Sequence, residues 1–215
     1  MKVGIYLVGE KESYFVLGNL AVAVAKHTMP GIEVCHFTDE STKALVGASV
    51  MRLERDCPMA VLRMRHHQAS GEWLFIDVDV LVERDVSDIF DASFDIAIAS
   101  RVRNDGMSSQ GLRIMPHNMG VVFSRSPAFW HRAERELLTY DSKLQEWMGD
   151  QLAVCKLVKE GKFDVRILPG EEYNYPPFGP DEVKASIVHY KGRRKPWMVD
   201  NAKRILGMKD EVCVQ

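Results

Sequence analysis

The chain has 215 residues, a formal net charge of −2, 46% hydrophobic residues and 27% charged residues. This balance is that of an ordinary globular protein, and it excludes a global basic field that would attract nucleic acid or an anionic membrane. A chain of this length can bury a sizeable core, and we predict a single domain over residues 1–215.

The four cysteines, Cys35, Cys57, Cys155 and Cys213, lie far apart and form no C-x-x-C pair. Such spacing is weak evidence for a zinc site or a disulfide framework, and it favours reduced thiols. The apolar run that follows Met1 is too short for a signal peptide or a membrane span. We therefore predict a soluble, cytoplasmic protein without a transmembrane segment.

Runs of β-branched and apolar residues alternate with segments of helical spacing along the chain. In chain order, the predicted elements are a strand at Lys2–Val8, a helix at Tyr14–Lys26, strands at Glu33–Phe37 and Ser49–Leu53, a helix at Met59–Ala69, strands at Trp73–Ile76, Ile96–Ala99 and Gly120–Phe123, helices at Pro127–Leu138 and Trp147–Glu160, and strands at Val165–Leu168 and Ala185–Val188. This alternation predicts an α/β fold, in which helices cover the faces of a sheet.

Two stretches fit no regular element. Residues Arg101–Gly111 are polar and contain glycine, which indicates a loop that could act as a lid or contact an acceptor. Residues Glu171–Pro180 are rich in proline and aromatic residues, which indicates irregular but packed structure. Trp130 and Trp147 are assigned to the core.

The clearest chemical signal is the D-x-D sequence of Asp77 and Asp79, which follows the apolar strand Trp73–Ile76 directly. Ligands of open α/β sheets bind beyond the carboxyl ends of the strands, where this pair is expected. Carboxylates suit Mg²⁺ or Mn²⁺, which such sites bind together with substrate phosphates. The alternative is an acidic turn without a metal.

A second signal follows the last predicted strand. His189 is a plausible metal ligand, Gly192 lets the backbone approach a ligand closely, and Lys195 offers a point charge that suits phosphate. The alternative is a strand end followed by a basic, solvated turn. The two signals together predict that the carboxylates and this segment meet around one metal–diphosphate.

At this point the chain resembles glycosyltransferase family 8. The motif H-x-x-G-x-x-K-P-W is matched by His189, Gly192, Lys195, Pro196 and Trp197, and the strand-borne D-x-D by Asp77 and Asp79. The N-x-G-V segment is similar to Asn118–Val121, and the G-D-Q segment to Gly149–Gln151. The matching segments run from about Met59 to Trp197. The N-terminal donor-binding segment of the family is matched only loosely, by Val8, Glu10 and Tyr14.

The resemblance implies a single-domain GT-A fold, which is Rossmann-like and has a mixed, mostly parallel central sheet. It also implies a retaining, metal-dependent transfer of a hexose from a nucleotide-sugar, most plausibly a UDP-sugar, with Mn²⁺ (or Mg²⁺) as cofactor. The implied metal ligands are Asp77, Asp79 and His189; the implied donor contacts are Val8, Tyr14, Arg63, Gly120, Gly192 and Lys195; the implied residues around the donor sugar are Asn118, Asp150 and Gln151.

Several alternatives remain open from the sequence. Asn118 could instead cap a turn, and Asp150 could be the N-cap of its helix. The strand at Ile96–Ala99 ends in Ser100–Arg101, where the family often has an acidic residue.

A sugar nucleotidyltransferase and a non-catalytic nucleotide-binding relative are the alternative functions. The acceptor could be a glycan, a lipid-linked sugar, a protein, a metabolite or a nucleobase, and the oligomeric state is not indicated.

Overall fold

The computed structural model describes residues 1–102, 107–180, 182 and 184–208. Within these residues the strands are β1 Lys2–Tyr6, β2 Glu33–Thr38, β3 Ser49–Arg52, β4 Trp73–Asp77, β5 Val80–Val82, β6 Ile96–Ser100, β7 His117–Ser124, β8 Val165–Leu168 and β9 Ile187–His189. The helices are α1 Glu12–Thr28, α2 Met59–His67, α3 Ser109–Ile114, α4 Pro127–Leu137, α5 Ser142–Glu146, α6 Gly149–Glu160, α7 Gly170–Tyr173 and α8 Lys195–Ile205.

Seven strands form one central sheet in the order β3-β2-β1-β4-β7-β6-β8. Neighbouring strands in this sheet are parallel except for β7, which runs antiparallel to both β4 and β6. Strands β5 and β9 form a separate antiparallel ribbon. The α/β fold with a mixed, mostly parallel sheet that the sequence predicted is therefore confirmed.

The central strands are buried on both faces, because their alternate residues enter different cores. Leu74 and Ile76 of β4 pack with α1, α8 and the ribbon, whereas Phe75 points to an aromatic cluster on the opposite face. On β7, Val121 joins the first core and Val122 packs with α2, α4 and α6. This two-residue alternation between buried faces is typical of a sheet covered by helices on both sides, and it explains why these strands read as continuous apolar runs.

Most predicted elements are present in the structure, but strand β5 and the short helices α5 and α7 were not predicted, and other assignments differ. The helix predicted from Trp147 begins at Gly149, with Met148 as its N-cap, so Asp150 lies inside the helix and the N-cap alternative is wrong. The assignment of Trp147 to the core is also wrong, since 76% of this residue is exposed, whereas Trp130 is fully buried as predicted. Helix α8 was not predicted. In the segment predicted as a loop, residues 103–106 lie outside the described part, and α3 begins at Ser109.

Cys35, Cys57 and Cys155 are unpaired, in agreement with the prediction of reduced thiols, and Cys213 lies outside the described residues. None of the helices in the described ranges is long and apolar enough to cross a membrane.

Two buried histidines of α2 make hydrogen bonds to backbone carbonyls, and that of His66 ties the helix to the sheet. Nε2 of His66 lies 3.0 Å from the carbonyl of Thr38 at the end of β2, and Nδ1 of His67 lies 2.7 Å from the carbonyl of Arg63. The His67 ring packs between aromatic side chains of β4 and α4. Burial lowers the pKa of both rings and so favours their neutral form, although the bonds to the carbonyls act in the opposite direction.

We expect these histidines to make the fold sensitive to acid. Burial lowers the pKa of His66 from 6.5 to about 4, with His36 adding to the effect and Asp39 opposing it. Because the folded-state pKa is lowered, this stabilisation is complete above pH 6.5 and is lost as the pH falls towards 4. For His66 alone, the free energy of unfolding should fall by about 2 kcal/mol between roughly pH 7 and pH 5.

Urea denaturation at several pH values measures this effect. His66→Gln should flatten the dependence on pH, and His27→Gln, which changes an exposed histidine of α1, should leave it as in the wild type. An unchanged slope in the His66 variant would assign the acid sensitivity to other groups.

Candidate active site

The two carboxylates of the D-x-D sequence lie at the carboxyl end of the sheet. Asp77 is the last residue of β4, and Asp79 lies in the tight turn that leads into β5. The pairing of β4 with β7 ends at Ile76 and Val121, so the chain leaves the sheet at this point. Both side chains are largely enclosed, with 28% of Asp77 and 13% of Asp79 exposed.

The β5–β9 ribbon brings a residue more than a hundred positions away to the same turn. His189 pairs with Val80, and the backbone N–H of Tyr190 donates to the carbonyl of Asp79 at 2.7 Å. As a result, Nε2 of His189 lies 3.1 Å from Oδ1 of Asp79 and 3.8 Å from Oδ2 of Asp77. One ligand atom from each of these three residues lies within 4.8 Å of the others. The predicted metal ligands are thus brought together.

Asn174, which the sequence analysis did not identify, sets the orientation of the His189 ring. Its Oδ1 lies 2.8 Å from Nδ1 of His189, and the residue is buried. The backbone bonds between Tyr175 and the ribbon strand β9 fix the segment that carries it. An acceptor on Nδ1 directs the ring proton to that nitrogen and leaves the Nε2 lone pair facing the carboxylates. This arrangement is common for metal-ligating histidines.

The surroundings of His189 favour a cation among these groups. Both ring nitrogens face oxygen acceptors, but a neutral ring has only one N–H to donate. Burial lowers the pKa of His189, although Asp79 acts in the opposite direction, so the ring is not readily protonated. Burial alone would raise the pKa of Asp79, but His189 and Lys195 hold it below its ordinary value. Carboxylate ligands suit Mg²⁺ or Mn²⁺, and a neutral imidazole is a common ligand of divalent metals.

Arg63 of α2 connects the carboxylate pair to α6. Its Nη2 donates to Oδ1 of Asp77 at 2.7 Å and to the carbonyl of Met119 at 2.6 Å, and its Nη1 lies 3.5 Å from Oδ2 of Asp150. Only 15% of the Arg63 side chain is exposed. Burial raises the pKa of Asp150, although the positive charge of Arg63 acts to lower it. Arg63 therefore holds Asp77 in position and partly neutralises the site.

Lys195 begins α8 and its ammonium group donates to Oδ2 of Asp79. The preceding turn starts at Gly192, whose φ of 60° lies in the left-handed region that glycine adopts without a steric penalty. The Lys195 ammonium also lies 5.8 Å from the centre of the Tyr14 ring, and that of Lys11 lies 4.8 Å from it. A cleft of about 320 Å³ is bordered by Val8, Tyr14, Lys195 and both carboxylates.

The residues predicted around a donor sugar form a second group beside the first. Nδ2 of Asn118 lies 3.4 Å from Oε1 of Gln151, which also accepts a hydrogen bond from Arg101. Asp150 accepts from the backbone N–H of Gln151 at 2.8 Å. Arg101 stands where an acidic residue is expected from the resemblance, so here a guanidinium group borders this part of the site.

Gly120 has a packing role at the centre of the site. Its backbone N–H donates to Oδ1 of Asn118 at 2.9 Å, and a Cβ at this position would overlap the His189 ring. The absence of a side chain on β7 is therefore what lets the His189 ring reach the carboxylates.

No protein-family model and no curated protein matches the sequence. The structure, in contrast, matches solved glycosyltransferases. It aligns with the galactosyltransferase LgtC, solved with donor and acceptor sugar analogs, at a TM-score of 0.65 and 13% identity over 99% of this chain and 97% of LgtC. It aligns with the glycosyltransferase GlyE of Streptococcus pneumoniae at a TM-score of 0.64 and 14% identity over 97% of this chain and 60% of GlyE.

A third match is a glycosyltransferase involved in glycosylation of the major capsid of PBCV-1, with a TM-score of 0.59 and 15% identity over 94% of this chain and all of that one. At these identities the likeness establishes the fold. The chain has the GT-A fold of these glycosyltransferases, as the resemblance in its sequence predicted.

Gly120→Ala should weaken metal binding because the added Cβ would lie 2.7 Å from Nδ1 of His189 and displace the ring. We expect the affinity for Mn²⁺, measured by the electron paramagnetic resonance of the free ion, to fall at least about tenfold. The matched control is Gly179→Ala, because a Cβ there would meet nothing within 4 Å. Equal affinities in the two variants would contradict the packing role of Gly120.

Asn174→Leu keeps the approximate size of the side chain but removes the acceptor for Nδ1 of His189. Loss of such an orienting bond typically lowers metal affinity by about 10–100-fold, and we expect a decrease in this range by isothermal titration with Mn²⁺. Tyr175→Phe, a change at the next position in the chain, serves as the control. Wild-type affinity in the Asn174 variant would mean that the ring is held by its packing alone.

Proposed function

We propose that this chain is a metal-dependent glycosyltransferase that moves a hexose from a UDP-sugar to a hydroxyl acceptor with retention of the anomeric configuration. The observation that carries the proposal is the gathering of Asp77, Asp79 and His189 within 4.8 Å at the carboxyl end of a GT-A sheet. Ligands of open α/β sheets bind at this edge.

The donor set fits Mn²⁺ or Mg²⁺, which Asp77, Asp79 and His189 would hold. When bound, the cation supplies Lewis-acid stabilisation of the negative charge that develops on the departing diphosphate. Lys195 is suited to the same task, since its ammonium group already borders the carboxylates and could pair with a phosphate oxygen. The open backbone at Gly192 would let the diphosphate approach the start of α8.

Asn118, Asp150 and Gln151 are proposed to bind the hydroxyl groups of the donor sugar. Their amide and carboxylate groups lie together beside Arg63, on the side of the carboxylates away from Tyr14. Binding at several hydroxyls would orient the anomeric carbon towards the acceptor oxygen. That oxygen forms the new glycosidic bond, the bond from the anomeric carbon to the β-phosphate oxygen breaks, and the hydroxyl proton leaves with the UDP or to solvent.

The nucleoside end of the donor is assigned to the cleft beside Val8 and Tyr14. The aromatic face of Tyr14 offers a stacking surface for a base, and the ammonium groups of Lys11 and Lys195 lie near it. Uridine and the retaining outcome are drawn from the resemblance to glycosyltransferase family 8. Comparing UDP, GDP, ADP and TDP as ligands, and reading the anomeric configuration of the product by proton NMR, tests both assignments.

Donor hydrolysis tests the proposed function without a known acceptor. Protein is incubated with UDP-, GDP-, ADP- and TDP-sugars and Mn²⁺, and the release of nucleotide is measured. We expect release from one class of donor, abolished by EDTA and reduced at least about 100-fold by Asp79→Asn, because that variant removes a charged ligand of the metal. Asp91→Asn, which changes an exposed carboxylate that does not line the cleft, is the matched control.

The alternative functions give different results. Binding of UDP that needs Mn²⁺ but leads to no release would indicate a non-catalytic relative. Formation of a UDP-sugar from UTP and a sugar phosphate would indicate a nucleotidyltransferase. Affinity for nucleotides that is equal with and without the metal would contradict the assignment of the metal ligands.

A further inference from the structure

The connection between α5 and α6 presents an exposed aromatic ring at the edge of the cleft. Trp147 is 76% exposed, although tryptophan side chains are usually largely buried. It borders two cavities, one of about 180 Å³ beside Asp150 and Gln151 and one of about 320 Å³ beside the metal-ligand carboxylates. Arg63 and Asp77 border both cavities, so Trp147 stands where the two meet.

The backbone next to Trp147 is strained in a way that supports this placement. Met148 has a φ of 70°, and it is the one non-glycine residue with positive φ among the described residues. Such a conformation costs of order 1 kcal/mol, and it is found most often at binding sites. Here it turns the chain between α5 and the start of α6, which keeps the tryptophan ring out of the core. The exposed position of Trp147 therefore goes together with the backbone conformation of Met148.

The groups around the ring distinguish among possible occupants. The smaller cavity has walls of both kinds, since Glu146, Arg63 and Asp150 contribute charged groups and Met59, Ala60 and Met148 contribute apolar surface. An acyl chain would remove water from these charged groups without adding a hydrogen bond, which is costly. A pyranose ring presents an apolar C–H face together with a rim of hydroxyl groups. Its face matches the indole, and its hydroxyls match the polar wall.

We propose that Trp147 is the platform on which a pyranose ring of the acceptor stacks, so that the acceptor is a saccharide. This inference rests on the proposed function, because the cavity that Trp147 borders is the one assigned to the donor sugar. A saccharide on Trp147 lies next to Asp150 and Gln151, and one of its hydroxyl groups is thereby brought towards the anomeric carbon of the donor. Trp147 is in this role a binding residue for the acceptor.

Fluorine NMR of protein labelled with 5-fluorotryptophan tests the platform directly. The four tryptophans give four resonances, and Trp147→Phe identifies the one from Trp147. The protein is titrated with UDP and Mg²⁺, which is diamagnetic, and then with methyl β-galactoside, methyl α-glucoside, lactose and cellobiose, with glycerol as a polyol without a ring. We expect at least one saccharide to shift the Trp147 resonance saturably while the other three stay in place.

Trp147→Ala measures how much the indole ring contributes to saccharide affinity. The affinity for the same saccharide, measured by saturation-transfer NMR, should fall at least about tenfold, since an aromatic stacking surface is removed. Phe178→Ala is the matched control, because Phe178 is an exposed aromatic residue, 53% accessible, outside both cavities. Unchanged affinity in the Trp147 variant would overturn the proposal.

Two further outcomes would also overturn it. If UDP and Mg²⁺ alone move the Trp147 resonance and no saccharide adds to the shift, the ring contacts the donor. If no saccharide of the panel shifts the Trp147 resonance saturably, or glycerol shifts it equally, the ring is not a platform for a pyranose. Failure of the proposed function is recognised separately, because UDP binding is then independent of the metal whatever the saccharides do.

Discussion

The pairing of β5 with β9 is the interaction on which the rest of the site depends. The D-x-D turn lies between β4 and β5, and it becomes part of a three-residue cluster only because β9 pairs with β5 and carries His189 to it. The bond from the Tyr190 backbone to the Asp79 carbonyl fixes the register, and a shift by one residue would turn the histidine to the other face of the ribbon. The same strand end then leads through Gly192 to Lys195. A ribbon of three-residue strands thus assembles most of the charged groups.

The electrostatics of the cluster follow from this assembly. Asp77, Asp79 and Asp150 face two permanent cations, Arg63 and Lys195, while His189 is kept neutral by burial. Each of these cations contacts a carboxylate of the D-x-D pair, so Asp77 is held from the side of α2 and Asp79 from the side of α8. One net negative charge therefore remains on the three carboxylates and two cations, and the Nε2 lone pair of His189 is not used. A divalent cation complements both. Its arrival would free the ammonium group of Lys195 to meet the diphosphate.

The parts of the site that could be predicted from the sequence are those with a regular pattern. An apolar strand followed by Asp77 and Asp79, and a late strand followed by Gly192 and Lys195, identified groups that the structure brings together. Asn174 was missed because it lies in an irregular segment whose only visible features were prolines and aromatic rings. Helix α8 was missed although Pro196, in its first turn, is a usual start signal. Trp147 was misjudged because hydrophobicity alone does not indicate which end of a helix faces solvent.

These differences divide the site into two halves with different physical origins. Asp77, Asp79 and His189 lie at or just beyond strand ends, so they follow recognisable spacings in the sequence. The part of the site around Gln151 is bordered by the α5–α6 connection and by Arg101, which the hydrogen bonds of the strands do not constrain in the same way. Arg101 donates a hydrogen bond to Gln151, and Gln151 in turn lies beside Asn118. Under the proposed function, Trp147 and Arg101 would border the acceptor while the strand-end residues hold the donor, and Arg101 is where this chain departs from the pattern of its resemblance.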